Sequence, residues 1–191
     1  MNCDHLQRLV AENRVFLRQL EALLARISAV EYRRCVDERH SLGRHLRHII
    51  DHYQALFVAL HGHDNPVLDY EKRQRDPVLE DDPGAAHQAL TAIQGHLDQL
   101  TREPLPASLL MAYPCNAGPG TALADPQDEP LAITTTVERE LIFLASHTVH
   151  HMALMGRLAT HLDLSLPAAF GVHPSTLRHW SRHAIETAEN S

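Results

Sequence analysis

The chain has 191 residues, with 17 Lys+Arg against 24 Asp+Glu, a formal net charge of −7, three cysteines and 16 histidines. That length predicts a single domain, residues 1–191, able to bury a core without disulfides or metal, and the acidic balance excludes a grip on nucleic-acid phosphates or an anionic membrane surface, both of which need clustered cations. Cys3, Cys35 and Cys115 are odd in number and form no C-x-x-C, so any metal would have to be held by histidine.

The opening MNCDHLQRLV has neither a cationic, then apolar, signal pattern nor an Arg-rich transit pattern, and no apolar run approaches a membrane span, which predicts a cytoplasmic protein. Leu6, Leu9, Val10, Phe16, Leu17, Leu20, Leu23, Leu24 and Ile27 recur by threes and fours, predicting a helix over about 5–28 with Asp4 as its N-cap. Leu42, Leu46, Ile49, Tyr53, Leu56 and Leu60 predict a second helix over about 41–61, with Ser41 at its start and Gly62 past its end. The charged, proline-punctuated stretch from His63 to Pro83 reads as a connection, and Ala89, Leu90, Ile93, Leu97 and Leu100 predict a third helix over about 84–102. Prolines then break the chain into short apolar pieces, of which Ser108–Tyr113 and Leu131–Thr135 are expected to pair as strands. A fourth helix, about 137–162, buries Leu141, Leu144, Leu154 and Leu158, and a short helix runs from Pro174 to about Ala188. The expected class is all-α, a four-helix bundle with a long excursion before its last helix.

His147 and His151 lie about 40° apart on the fourth helix, within its apolar stripe. Two imidazoles in an apolar setting each need a donor and an acceptor satisfied, and a divalent ion shared by both meets that need. A bare H-x-x-x-H is also common as two structural histidines. On the second helix, His45 and His52 flank the apolar stripe and His48 lies roughly 120° from its centre, so periodicity favours His45 or His52 as a third ligand and leaves the choice open.

Ser41-Leu42-Gly43, His48-Ile49-Ile50-Asp51 and His147-Thr148-Val149-His150-His151 resemble the motifs of the DinB/YfiT-like superfamily of metal-binding four-helix bundles. The resemblance spans about residues 5–162. It implies a three-histidine site made by His48, His147 and His151, with coordination positions left open. His45-Leu46-Arg47-His48 also resembles the H-L-x-H of DinB-like domains in iron-dependent sulfoxide synthases, where the second histidine is the ligand. The implied ion is Zn²⁺ or Ni²⁺, with Fe²⁺ a further candidate.

Around these residues, Glu140 is expected either to orient a ligand imidazole or to complement the helix dipole, and Asp51 either to accept from a ligand or to face solvent. His45 and His150 flank the ligands as proton shuttles or structural hydrogen-bond partners. His61, His63, His87, His96, His161, His173, His179 and His183 share no face and are expected on the surface. Tyr70 to Arg75 concentrates cations that suit an anionic substrate or thiol carboxylate, or simply a solvated face; Thr134 to Thr136 suit a helix cap. The resemblance implies a transferase in which metal activates a low-molecular-weight thiol against a small electrophile, with hydrolysis as a variant. The competing readings are a non-catalytic, stress-associated metal-binding bundle, and a metal-free helical homodimer with its histidines bonded to one another.

Overall fold

A computed structural model of the chain describes residues 3–37, 39–62, 67–114 and 130–189, with the side chains of Cys3 and 183–189 left aside. Cys115, His63 and the side chain of His183 lie outside the described residues. Four long helices carry the structure: α1 (Cys3–Leu24), α3 (Leu42–His61), α5 (Pro83–Leu100) and α6 (Val137–His161). Both α1 and α3 pack against α5 and against α6, so α1 and α3 occupy opposite corners of the bundle. Leu17, Leu20, Leu46, Ile49, Tyr53, Leu56, Leu90, Ile93, Leu141 and Met152 fill the interior. The expected four-helix bundle is the observed one.

The first helix is shorter than its apolar period suggests, because a stronger local signal interrupts it. Ser28 forms a capping box: its side chain accepts from the Glu31 amide at 3.2 Å, and the Glu31 carboxylate accepts from the Ser28 amide at 2.7 Å. This starts α2 (Ala29–Arg33), a short helix that the apolar periodicity, ending at about residue 28, does not predict. Asp4 lies inside the first turn of α1 rather than capping it. Ser41 caps α3, Asp82 caps α5 with Pro83 at its first position, and Thr136 caps α6.

The connection from His63 to Pro83 holds two further elements, β1 (Val67–Asp69) and α4 (Val78–Asp81). α4 is seated on α3 where a Cβ on Gly43 would stand 2.1 Å from the Glu80 carbonyl oxygen, so only glycine permits this approach. Tyr32, fully buried, donates to the Leu79 carbonyl at 2.5 Å and ties α2 to α4. The two expected strands are present as β2 (Leu109–Tyr113) and β3 (Leu131–Thr135), antiparallel with Leu109 opposite Thr135. β1 pairs with β2 in parallel, giving the order β1-β2-β3. α7 (Pro174–Glu189) closes the chain.

A buried polar network crosses the core. Asn13 donates to the Leu141 carbonyl at 3.1 Å and accepts from the Tyr53 hydroxyl at 2.6 Å, while Thr148 donates to the same hydroxyl at 3.3 Å. Burial pushes the Tyr53 hydroxyl well above the ordinary tyrosine range, so it stays protonated and donates. The network fixes α1, α3 and α6 in register beside the histidines.

Candidate metal centre

α3 and α6 pack along their lengths, and this contact brings the histidines of one against those of the other. On α6 the buried face runs through Leu141, Leu144, Thr148, Met152 and Met155. His147 and His151 therefore lie at its margin, half-buried, and not at its centre as the leucine stripe suggests; Leu154 is only half-buried as well. They face α3, where His52 is buried and His48 half-buried. The ring of His48 is centred 5.0 Å from that of His147 and 4.4 Å from that of His151, and the last two are 4.5 Å apart. His52 joins them, 4.4 Å from His48 and 4.1 Å from His147.

Nitrogen atoms of His48, His52 and His147 lie within 4.8 Å of one another, the one such group of three or more ligating side chains among the described residues. Rings sharing one ion at the usual 2.0–2.1 Å nitrogen distance have centres about 4.5–5.2 Å apart for angles between octahedral and tetrahedral. The separations among His48, His147 and His151 fall in or next to that range. His147 Nε2 is buried with no hydrogen-bond partner, a lone pair or proton directed at nothing in the protein. The donor set and this orphan nitrogen fit a divalent ion.

The remaining contacts separate the imidazoles by role. His52 is engaged at both ends: Nδ1 is 2.7 Å from the His48 carbonyl, to which it donates, and Nε2 accepts from Arg73 Nη1 at 2.9 Å. His151 Nδ1 lies 3.0 Å from His45 Nδ1. A neutral His151 donating there keeps Nε2 as its free lone pair, the arrangement in which an outer acceptor sets a ligand's tautomer. His40 stacks on His45, ring centres 5.6 Å apart, and its Nδ1 bonds Asp37 at 2.8 Å. His150 is exposed, with its ring 5.2 Å from that of His151.

His45, His48, His52, His147 and His151 resist protonation, chiefly because burial penalises their charged forms and secondarily because imidazoles crowd one another and, for all but His45, Arg73 lies close. His48 is depressed to about 2, His151 to about 3, and His52 and His147 to about 4; His45 is lowered too. At neutral pH the cluster is a set of uncharged nitrogen bases.

Glu140 and Asp51 do not touch the imidazoles through hydrogen bonds. Glu140 is fully buried and accepts from Tyr70 at 2.8 Å, Thr135 at 2.5 Å and Arg139 at 2.9 Å, so it neither orients a ligand nor merely complements a dipole: it anchors β3 and the β1–α4 connection to α6. Asp51 is buried, not solvated, with Arg47 Nε 3.9 Å away; burial raises its pKa against the pull of Arg47, Arg73 and Arg75. Within the cationic stretch Arg73 reaches inward to His52, while Glu71, Lys72, Gln74 and Arg75 are exposed, as a solvated face would have them. Tyr70 stacks on His52 and Phe143 on His147, at 5.2 and 5.4 Å, and the two cover one side of the cluster. Periodicity gave no sign of Tyr70, Phe143 or His40.

The model of the DinB superfamily matches residues 14–155, most of the chain and all four long helices in whole or part. The chain belongs to the DinB superfamily. It is also 29% identical over 113 residues to a protein of Rhizopus delemar named FK506-binding protein 5, covering 59% of this chain and 27% of that protein. This DinB chain thus spans about a quarter of that relative's length. No helix among the described residues is long and apolar enough to cross a membrane.

Proposed function

We propose that this DinB protein holds a divalent ion on His48, His147 and His151 and uses it to transfer a low-molecular-weight thiol onto a small electrophile. The observation that carries the metal reading is the unpartnered, buried His147 Nε2 within a cluster of neutral imidazoles from two helices. His151 is preferred to His52 as the third ligand because both His52 nitrogens are already engaged, by the His48 carbonyl and by Arg73. Zn²⁺ or Ni²⁺ suits imidazole nitrogen, and Fe²⁺ is compatible with it.

Bound there, the ion supplies Lewis acidity that brings a thiol's pKa toward neutrality. The protein's part is positioning. His45 holds the His151 ring, His52 holds the Arg73 guanidinium beside the cluster, and Tyr70 and Phe143 keep water from one side. Arg73 is the cation placed to receive a carboxylate of the thiol or its partner. In the transfer the thiol gives up its proton to solvent, a sulfur–carbon bond forms, and the bond to the electrophile's leaving group breaks with its electron pair.

A non-catalytic metal-binding bundle is the second reading, and a specific feature favours it. The cavity that Arg73 shares, about 470 Å³, is lined also by Asp51, Gln54 and Lys72 and not by the three proposed ligands. Metal analysis of untagged protein tests the site: near-stoichiometric metal lost in His147→Ala/His151→Ala supports it, and equal content in variant and parent refutes it. Metal-loaded protein incubated with a panel of thiols and a chromogenic electrophile tests the activity. A rate above that of free metal, lost in the same variant, supports the transferase; no such rate with any thiol leaves the non-catalytic bundle.

A further inference from the structure

Two histidines without a common face in the sequence meet on the other side of α3. His61, at the C-terminal end of α3, and His96, on α5, have ring centres 5.4 Å apart at an interplanar angle of 64°. His61 is exposed and His96 half-buried, its ring packed 4.9 Å from that of Phe57. Both border one cavity of about 430 Å³ between α3 and α5.

Each ring is pinned through the same atom. His61 Nδ1 lies 2.7 Å from the Phe57 carbonyl oxygen, and His96 Nδ1 lies 3.1 Å from Gln99 Oε1. Both partners only accept, so each Nδ1 carries the proton and each Nε2 keeps its lone pair. That is the tautomer a ligating imidazole needs, set by an outer acceptor. The ring separation is close to the roughly 5.2 Å expected for two imidazoles at a tetrahedral angle around one ion, given nitrogen distances of 2.0–2.1 Å. Among the described residues the wall of this cavity carries no charged side chain, Gln54 and Gln74 being its other polar residues, while a smaller adjoining cavity bordered by the same two histidines is lined by Glu103. A hard cation such as Mg²⁺ or Ca²⁺ calls for six or more oxygen ligands, whereas a borderline ion favours imidazole nitrogen.

We propose that His61 and His96 form a second metal site, independent of the His48 cluster, which takes a divalent late transition ion with the two Nε2 atoms as protein ligands and water in the remaining positions. With two ligands instead of three it is the weaker and more readily exchanged of the two sites.

Zn²⁺ titration of untagged, chelator-stripped protein by calorimetry, with bound metal counted after gel filtration, tests it. The parent is expected to bind two equivalents in two phases. His61→Ala and His96→Ala each lose the weaker phase and keep the tighter one, and a His48→Ala/His147→Ala/His151→Ala variant keeps the weaker phase alone. Circular dichroism confirms that the single variants are folded, as expected for side chains outside the core. The proposal is overturned if His61→Ala and His96→Ala bind Zn²⁺ with the parent's stoichiometry and isotherm, whether the parent shows two phases or one. Failure of the principal site is a separate result: the triple variant then binds exactly what the parent binds.

Discussion

At the scale of single residues, the histidines differ less in type than in what their second nitrogen touches. His45 accepts or shares the Nδ1 proton of His151, so removing it frees that ring to rotate and to change tautomer. We predict that His45→Ala retains one metal per chain at the principal site but binds it about 10–100-fold more weakly, the usual effect of losing an outer partner. Competition with a chromogenic chelator measures this, and an unchanged affinity would show that His45 does not hold the ligand. Tyr53 gives a second case. Its hydroxyl satisfies both Asn13 and Thr148 in a fully buried setting, and Tyr53→Phe strands the Asn13 oxygen. The expected loss is about 1–3 kcal/mol of stability by denaturant unfolding, with little change in slope.

At the scale of elements, close approach matters more than helix propensity. Gly43 admits the Glu80 carbonyl, so Gly43→Ala must push α4 away from α3; a loss of about 1–3 kcal/mol or more follows. Gly95, on α5, has nothing within 4 Å of where a Cβ would stand, and Gly95→Ala should instead gain up to about 1 kcal/mol from helix propensity. Thermal melts of the two variants should move in opposite directions, and a shared direction would show that the α3–α4 contact is not the determinant. The elements themselves were largely legible. The long helices and the β2–β3 pair follow from spacing and proline punctuation. The end of α1 did not, because the Ser28–Glu31 capping box outweighs a continuing apolar period, and β1 did not, because a three-residue strand acquires its identity only by pairing with β2.

At the scale of the whole molecule, burying so many imidazoles ties stability to pH. An unfolded chain protonates its histidines near pH 6.5, whereas the folded chain holds His52 and His147 neutral down to about 4, His151 to about 3 and His48 to about 2. Between those values the unfolded state binds more protons, so acidification favours unfolding; above about 6.5 neither state is charged at these rings and the effect vanishes. Metal-free protein should therefore melt at a nearly constant temperature above pH 7 and at progressively lower temperature from about pH 6.5 toward 4. A folded His48→Ala/His147→Ala/His151→Ala variant should show a shallower decline, and a parallel decline would place the acid sensitivity elsewhere.

The amino-acid sequence by itself determined the helical architecture, the boundaries set by Ser41 and Thr136, and the histidine-bearing faces of α3 and α6, because periodicity and capping are local properties of consecutive residues. Which imidazoles meet was decided only by tertiary structure. Spacing favoured His45 or His52 over His48 and set His147 and His151 within the core stripe; the packing of α3 on α6 gathered four rings, His48 and His52 both among them, at its margin and joined His45 to one of them. Arg73 and Tyr70 reach the cluster from a connection with no period, and His61 meets His96 across two helices. Such distances depend on helix rotation and crossing, which a single strand of sequence does not encode locally.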